Sequence, residues 1–152
     1  MKTLVAVLAL IWILTATAQA SVTFTPPGSS KPMLGTTLAM TPSSEAKKLG
    51  SAAKVQVGMS KDQKTWMVDA HVTKGHKGGL CEIWLAGKAT KMLCGPEKAD
   101  ANGNVTLSYT GSISPLGYKS VDVYYLPNDK ATPGKGAVLM FSLETSKLKG
   151  KT

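Results

Sequence analysis

Ala53-Lys54-Val55-Gln56-Val57-Gly58-Met59, followed after a polar gap by Trp66-Met67-Val68-Asp69-Ala70-His71-Val72-Thr73, sets the period of the chain. Val55, Val57 and Met59 alternate with Lys54, Gln56 and Gly58. Trp66, Val68, Ala70 and Val72 then alternate with Met67, Asp69, His71 and Thr73. A period of two sends successive side chains to opposite faces, so both runs read as half-buried strands. Ser60–Lys64 is the polar turn between them. The Trp66 set is expected to face a core and the His71 set to face outward.

The same period continues downstream. Leu80–Ala86 and Ala89–Cys94 are apolar runs on either side of Gly87-Lys88. Asn102-Gly103 is a tight hairpin-turn signal leading into Val105, Leu107 and Tyr109. Val121, Val123 and Tyr125 share one face of residues 119–126. Residues 136–144 are apolar on both faces, which suits a central strand. Upstream, residues 21–25 alternate as a first strand, and residues 26–42, rich in Pro and Gly, read as a loop or arm. Ser43 as cap, Glu45 in the first turn, Lys47 and Lys48 near the end and Gly50 as stop outline one short helical turn. The result is an all-β chain of about eight strands. The expected packing is an antiparallel β-sandwich of immunoglobulin-like type, with a small barrel as the alternative.

The organisation follows from the N-terminus. Leu4–Leu14 is an unbroken apolar run of eleven residues, too short to span a bilayer but suited to a signal-peptide core. Ala18 and Ala20 then stand at the −3 and −1 positions of a small-residue cleavage site. Residues 1–20 are therefore expected to be a cleaved signal peptide. Residues 21–50 would be an N-terminal strand and arm, 51–146 the sandwich core and 147–152 a Lys-rich tail that frays. The mature protein is expected to be secreted or periplasmic.

Export gives the cysteines a meaning. Cys81 and Cys94 are the only two, and an even pair in an oxidising compartment usually becomes a disulfide. A two-residue turn at Gly87-Lys88 pairs Ala86 with Ala89, Trp84 with Lys91, and Cys81 with Cys94, so a cross-strand disulfide is expected. Trp84 opposite Lys91 would allow a cation–π contact. Trp84, Lys91 and Tyr124 sharing an exposed face would form a binding patch.

All 18 basic residues are Lys, and the net charge is +9. That excess attracts acidic polymers, but without Arg there is no bidentate pairing to phosphate, and no specific recognition of nucleic acid is expected. His71, His76 and Met67 make a candidate copper set, since imidazole and thioether suit that metal; Lys74 and Lys77 oppose it by repulsion. Asp100-Ala101-Asn102-Gly103-Asn104 imitates the opening of a calcium loop, but its Gly is at the fourth place and the twelfth place is Gly111. Asn104-Val105-Thr106 satisfies a glycosylation sequon. The chain has no G-x-S-x-G elbow, H-E-x-x-H motif, phosphate loop or dinucleotide fingerprint. A non-enzymatic binding or structural module of the cell envelope is expected, its partner an envelope or extracellular protein or an acidic polymer. A periplasmic copper-binding protein is the alternative.

Overall fold

A computed structural model of the chain describes residues 22–24 and 33–149. The expected signal peptide lies outside the described residues, as do residues 25–32 at the start of the arm. Among the described residues no helix is long and apolar enough to cross a membrane.

The chain is mostly strand. In order it forms β1 (Val22–Phe24), β2 (Met33–Ala39), β3 (Thr41–Pro42), a helix α1 (Ser44–Leu49), β4 (Ala52–Ser60), β5 (Trp66–Thr73), β6 (Leu80–Ala86), β7 (Lys91–Lys98), β8 (Val105–Gly111), β9 (Ser120–Leu126) and β10 (Val138–Glu144). Two five-stranded antiparallel sheets result. The first runs β1-β2-β4-β5-β8 and the second β3-β10-β9-β6-β7. Val55, Val57, Val68, Ala70 and Leu107 from the first sheet and Ile83, Leu85, Val121, Val123 and Phe141 from the second join one buried cluster. The alternating residues of each strand that face this cluster are what the period of two requires.

The Trp66 set is buried as its pattern demands, with Val68 opposite Val57 and Ala70 opposite Val55. The helical turn also forms as read. The Ser43 hydroxyl accepts from the Ala46 amide at 3.3 Å, and Gly50 closes the helix in the left-handed region at φ 65°. Ala46 enters the shared core, so α1 plugs one end of the molecule.

Three readings of the chain's outer parts are corrected. The Pro/Gly arm contains two strands. β2 pairs with both β1 and β4, and the run then passes directly into β3, in the other sheet. At the crossing, the Met40 amide donates to the Ala53 carbonyl in the first sheet, and the Ser43 amide donates to the Met140 carbonyl in the second. Pro42 ends β3 instead of breaking the run, because Pro is tolerated at a strand end. The tail is also not free from residue 147, since a 3-10 turn over Thr145–Leu148 buries Leu148 completely. Asn102-Gly103 does form a turn, with the Gly103 amide on the Asp100 carbonyl, but it carries the chain between sheets and not around a hairpin.

The largest correction concerns β6 and β7. Cys81 and Cys94 are free thiols and do not face each other. The loop spans residues 87–90 where two residues were expected, so Leu85 pairs with Lys91 and Trp84 with Met92. Two register shifts follow. Ile83 then lies opposite Cys94, and Cys81 opposite Glu97. Cys94 is thus displaced along the ladder from Cys81, out of disulfide reach. The same slip removes Lys91 from Trp84.

Candidate functional site

Cys81, Ile83 and Leu85 face the core from β6, and Val121 and Val123 face it from β9. Glu82, Trp84, Asp122 and Tyr124 therefore occupy the outer face of the second sheet. Glu82 lies opposite Tyr124, and Trp84 lies opposite Asp122. The two strands thus place an acid-x-aromatic pair each, in antiparallel order, to make a reciprocal box of two carboxylates and two aromatic rings. On the flanking strands Met92 of β7 lies opposite Trp84, Ser142 of β10 opposite Asp122, and Leu139 of β10 opposite Tyr124.

The box is closely bonded. The Trp84 indole Nε1–H donates to Glu82 Oε2 at 2.7 Å, and the Ser142 hydroxyl donates to Asp122 Oδ1 at 2.6 Å. Glu82 is only 6% exposed and Asp122 only 5%. Hydrogen bonds to a charged group are worth about 1.5–3 kcal/mol each and offset part of the cost of holding a carboxylate away from water. Burial, with the Asp122 charge in second place, raises the Tyr124 phenol above its usual range. Met92 is 45% exposed and Leu139 37%; they are two of only four large apolar side chains exposed among the described residues. The surface is therefore a flat sheet face with a polar, acidic centre and apolar flanks.

Trp84 and Tyr124 share this face as expected, but their companions are acids where a lysine was expected. No pair of carboxylates stands out from sequence spacing alone, and Glu82 and Asp122 went unrecognised for that reason. The usable signal was the repeated pattern Glu82-x-Trp84 and Asp122-x-Tyr124, an acid at an outward position within two otherwise apolar strands.

The candidate copper ligands do not converge. His71 is exposed on the outer face of β5, in the first sheet, where its Nδ1 is 3.1 Å from the Thr106 hydroxyl. His76 stacks on Tyr125 with ring centroids 3.8 Å apart, and its Nε2 lies 3.6 Å from a Glu45 carboxylate oxygen. Met67 is buried. Among the described residues no group of three or more His, Cys, Asp or Glu side chains could hold a metal.

The remaining features are local. Burial pushes both the Cys81 and Cys94 thiols up to about 11. Asp100 Oδ1 accepts from the amides of Asn102 and Asn104, which holds that carboxyl below its usual range and accounts for the calcium-like run as a turn. One cleft at an end of the molecule is lined by Gly87, Lys88, Gly117, Tyr118 and Lys119, and another by Leu49, Lys74, His76 and Lys77. Comparison of the chain with protein-family models, with curated proteins and with solved structures found no match.

Proposed function

We propose that this chain is an exported, non-enzymatic module of the cell envelope or extracellular space, an immunoglobulin-like sandwich that binds a protein partner through the outer face of its second sheet. The observation that carries the reading is the box of Glu82, Trp84, Asp122 and Tyr124 set between exposed Met92 and Leu139. Aromatic and apolar groups around a desolvated polar centre are the composition of binding hot spots. A flat strand surface suits a macromolecular partner better than a small molecule, which favours a concave site. Export rests on the Leu4–Leu14 run and the Ala18/Ala20 cleavage pattern.

The test is a photo-crosslinking amino acid placed at Met92 or Leu139, with Thr106 and Ser108 on the opposite sheet as controls. In an envelope preparation, the reading expects a discrete adduct from the first pair only, lost on Trp84→Ala. Equal adducts from both pairs, or none from either, overturn it. A second reading, attraction to an acidic polymer, is favoured by the clefts carrying Lys88 with Lys119 and Lys74 with Lys77. Binding of that kind fades as salt rises through the range where the Debye length falls below about 10 Å.

A further inference from the structure

The chain carries 18 Lys, yet among the described residues neither carboxylate of the box has a basic partner. Among the described residues the ion pairs are Lys48 with Glu45 and His76 with Glu45. Glu82 and Asp122 are instead the two most deeply buried acids described, each engaged through one oxygen by a neutral donor. Among the described residues the buried side-chain atoms without a hydrogen bond are Thr36 Oγ1, Asp69 Oδ1 and His76 Nε2, so neither box carboxylate has an orphaned oxygen; a cation beside a mostly desolvated carboxylate still restores part of what was lost on leaving water.

The register supplies the geometry for one. Glu82 and Asp122 are diagonal neighbours on adjacent strands, Glu82 opposite Tyr124 and Asp122 opposite Trp84. Diagonal positions on adjacent strands lie about 7–8 Å apart at their backbones, and flexible side chains close that gap from both sides. A single ammonium nitrogen between two carboxylates needs each oxygen at about 2.7–2.9 Å. Trp84 and Tyr124 occupy the other two corners, and aromatic faces attract an alkylammonium group. The apolar flanks match the remainder of the ligand. Met92 and Leu139 stand on opposite sides of the box, on β7 and β10, where apolar side chains of an extended strand can rest.

Two-fold pairing with a second copy through this face is disfavoured by the same charges. An isologous contact sets a patch against itself, so Glu82 and Asp122 would meet their own counterparts and repel. Resting on the binding face proposed above, we infer that the Glu82–Trp84–Asp122–Tyr124 box takes the primary ammonium of a lysine side chain presented by an extended, partly apolar segment of a different protein.

The probe is the peptide acetyl-Leu-Lys-Leu-Lys-Leu-amide, with acetyl-Leu-Glu-Leu-Glu-Leu-amide as its charge-reversed control, titrated into the full exported chain and followed by amide chemical shifts. The lysine peptide is expected to shift the amides of Trp84, Asp122 and Tyr124, and the glutamate peptide to leave them unmoved. Glu82→Gln with Asp122→Asn keeps the acceptor oxygens for Trp84 and Ser142 but removes both charges, and it should weaken binding at least tenfold. Where the double variant melts below the parent, each single variant should still weaken binding about threefold. Absence of binding, equal binding of the glutamate peptide, or unchanged affinity in the neutral variants overturns the inference. Concentration-dependent self-association of the parent, abolished by Asp122→Asn, would assign the face to a second copy and overturn it also. Crosslinks at Met92 that persist in the neutral variants would sink the ammonium while leaving the binding face intact; absence of crosslinks in the parent sinks both.

Discussion

β4 and β5 run through eight consecutive pairs without interruption, from Ala52 opposite Thr73 to Met59 opposite Trp66. β6 and β7 cover similar length and break register twice, between Cys81 and Ile83 and between Ile83 and Trp84. The first hairpin is scaffold. Its inward residues fill the core, and its outward face near Lys54, His71 and Thr73 is exposed and polar. The second gives up regular pairing, and at the irregularity its outer face acquires a buried acid, a half-buried Trp and an exposed Met. Register shifts re-aim side chains that an ideal ladder would place elsewhere. The box itself rests on the uninterrupted β6–β9 ladder, so the irregular β6–β7 pairing decides which β7 residue, Met92, stands beside it.

The strongest challenge to the comparison is a core truncation in the irregular hairpin. Ile83 is fully buried, within the cluster built by both sheets. Ile83→Ala should lower unfolding free energy by about 2–5 kcal/mol in a denaturant titration. A loss under 1 kcal/mol would mean that β6 is not part of the cooperative core. Gly95→Ala probes the irregularity itself. Gly95 sits at φ 112°, and an added Cβ would lie 2.8 Å from the Cys81 carbonyl oxygen and 2.9 Å from Glu82 Cγ. The substitution should cost about 1–3 kcal/mol, read by thermal melting. An unchanged melting temperature would show that the strand can regularise, and the contrast between hairpins would dissolve.

The thiols leave stability unchanged at neutral pH and give the sharpest test of register. Burial favours the protonated form, so both groups keep their protons until about pH 11 when folded, against an ordinary value of 9.0. Their contribution to stability is therefore complete below about pH 9 and is lost as pH rises from about 9 to about 11. At pH 8 the thiolate fraction falls about a hundredfold relative to the unfolded chain, and iodoacetamide should alkylate the native protein correspondingly more slowly. Two unmodified thiols in the intact mass after purification without reductant fit the observed register. A mass lower by two hydrogen atoms would restore the regular one.

Legibility follows the same divide. The β4–β5 pairing and the inward Trp66, Val68, Ala70 and Val72 were readable because alternation there is unbroken and a polar segment marks the turn. The α1 cap and stop were readable because Ser43 and Gly50 act through local backbone geometry. β2 and β3 were hidden because the prolines and glycines that bracket them resemble loop composition, and their pairing partners lie elsewhere in the chain. The β6–β7 register was misread because Gly-Lys fits a two-residue turn, whereas a four-residue loop and the close backbone approach at Gly95 are decided by tertiary packing. Of the candidate site, Trp84 and Tyr124 were visible as outward aromatics. Glu82 and Asp122 were not, because their juxtaposition depends on β6 pairing with β9, across a long stretch of intervening chain.

The run from Met33 to Pro42 bonds to the first sheet as far as Met40 and to the second from Thr41 onward. One covalent segment is thereby stitched into both layers. Sliding of one layer past the other would have to rupture that seam, so the layers are locked in shear. On the far side the turn over residues 99–104 carries the chain from β7 to β8, so both margins of the sandwich are tied by covalent crossings.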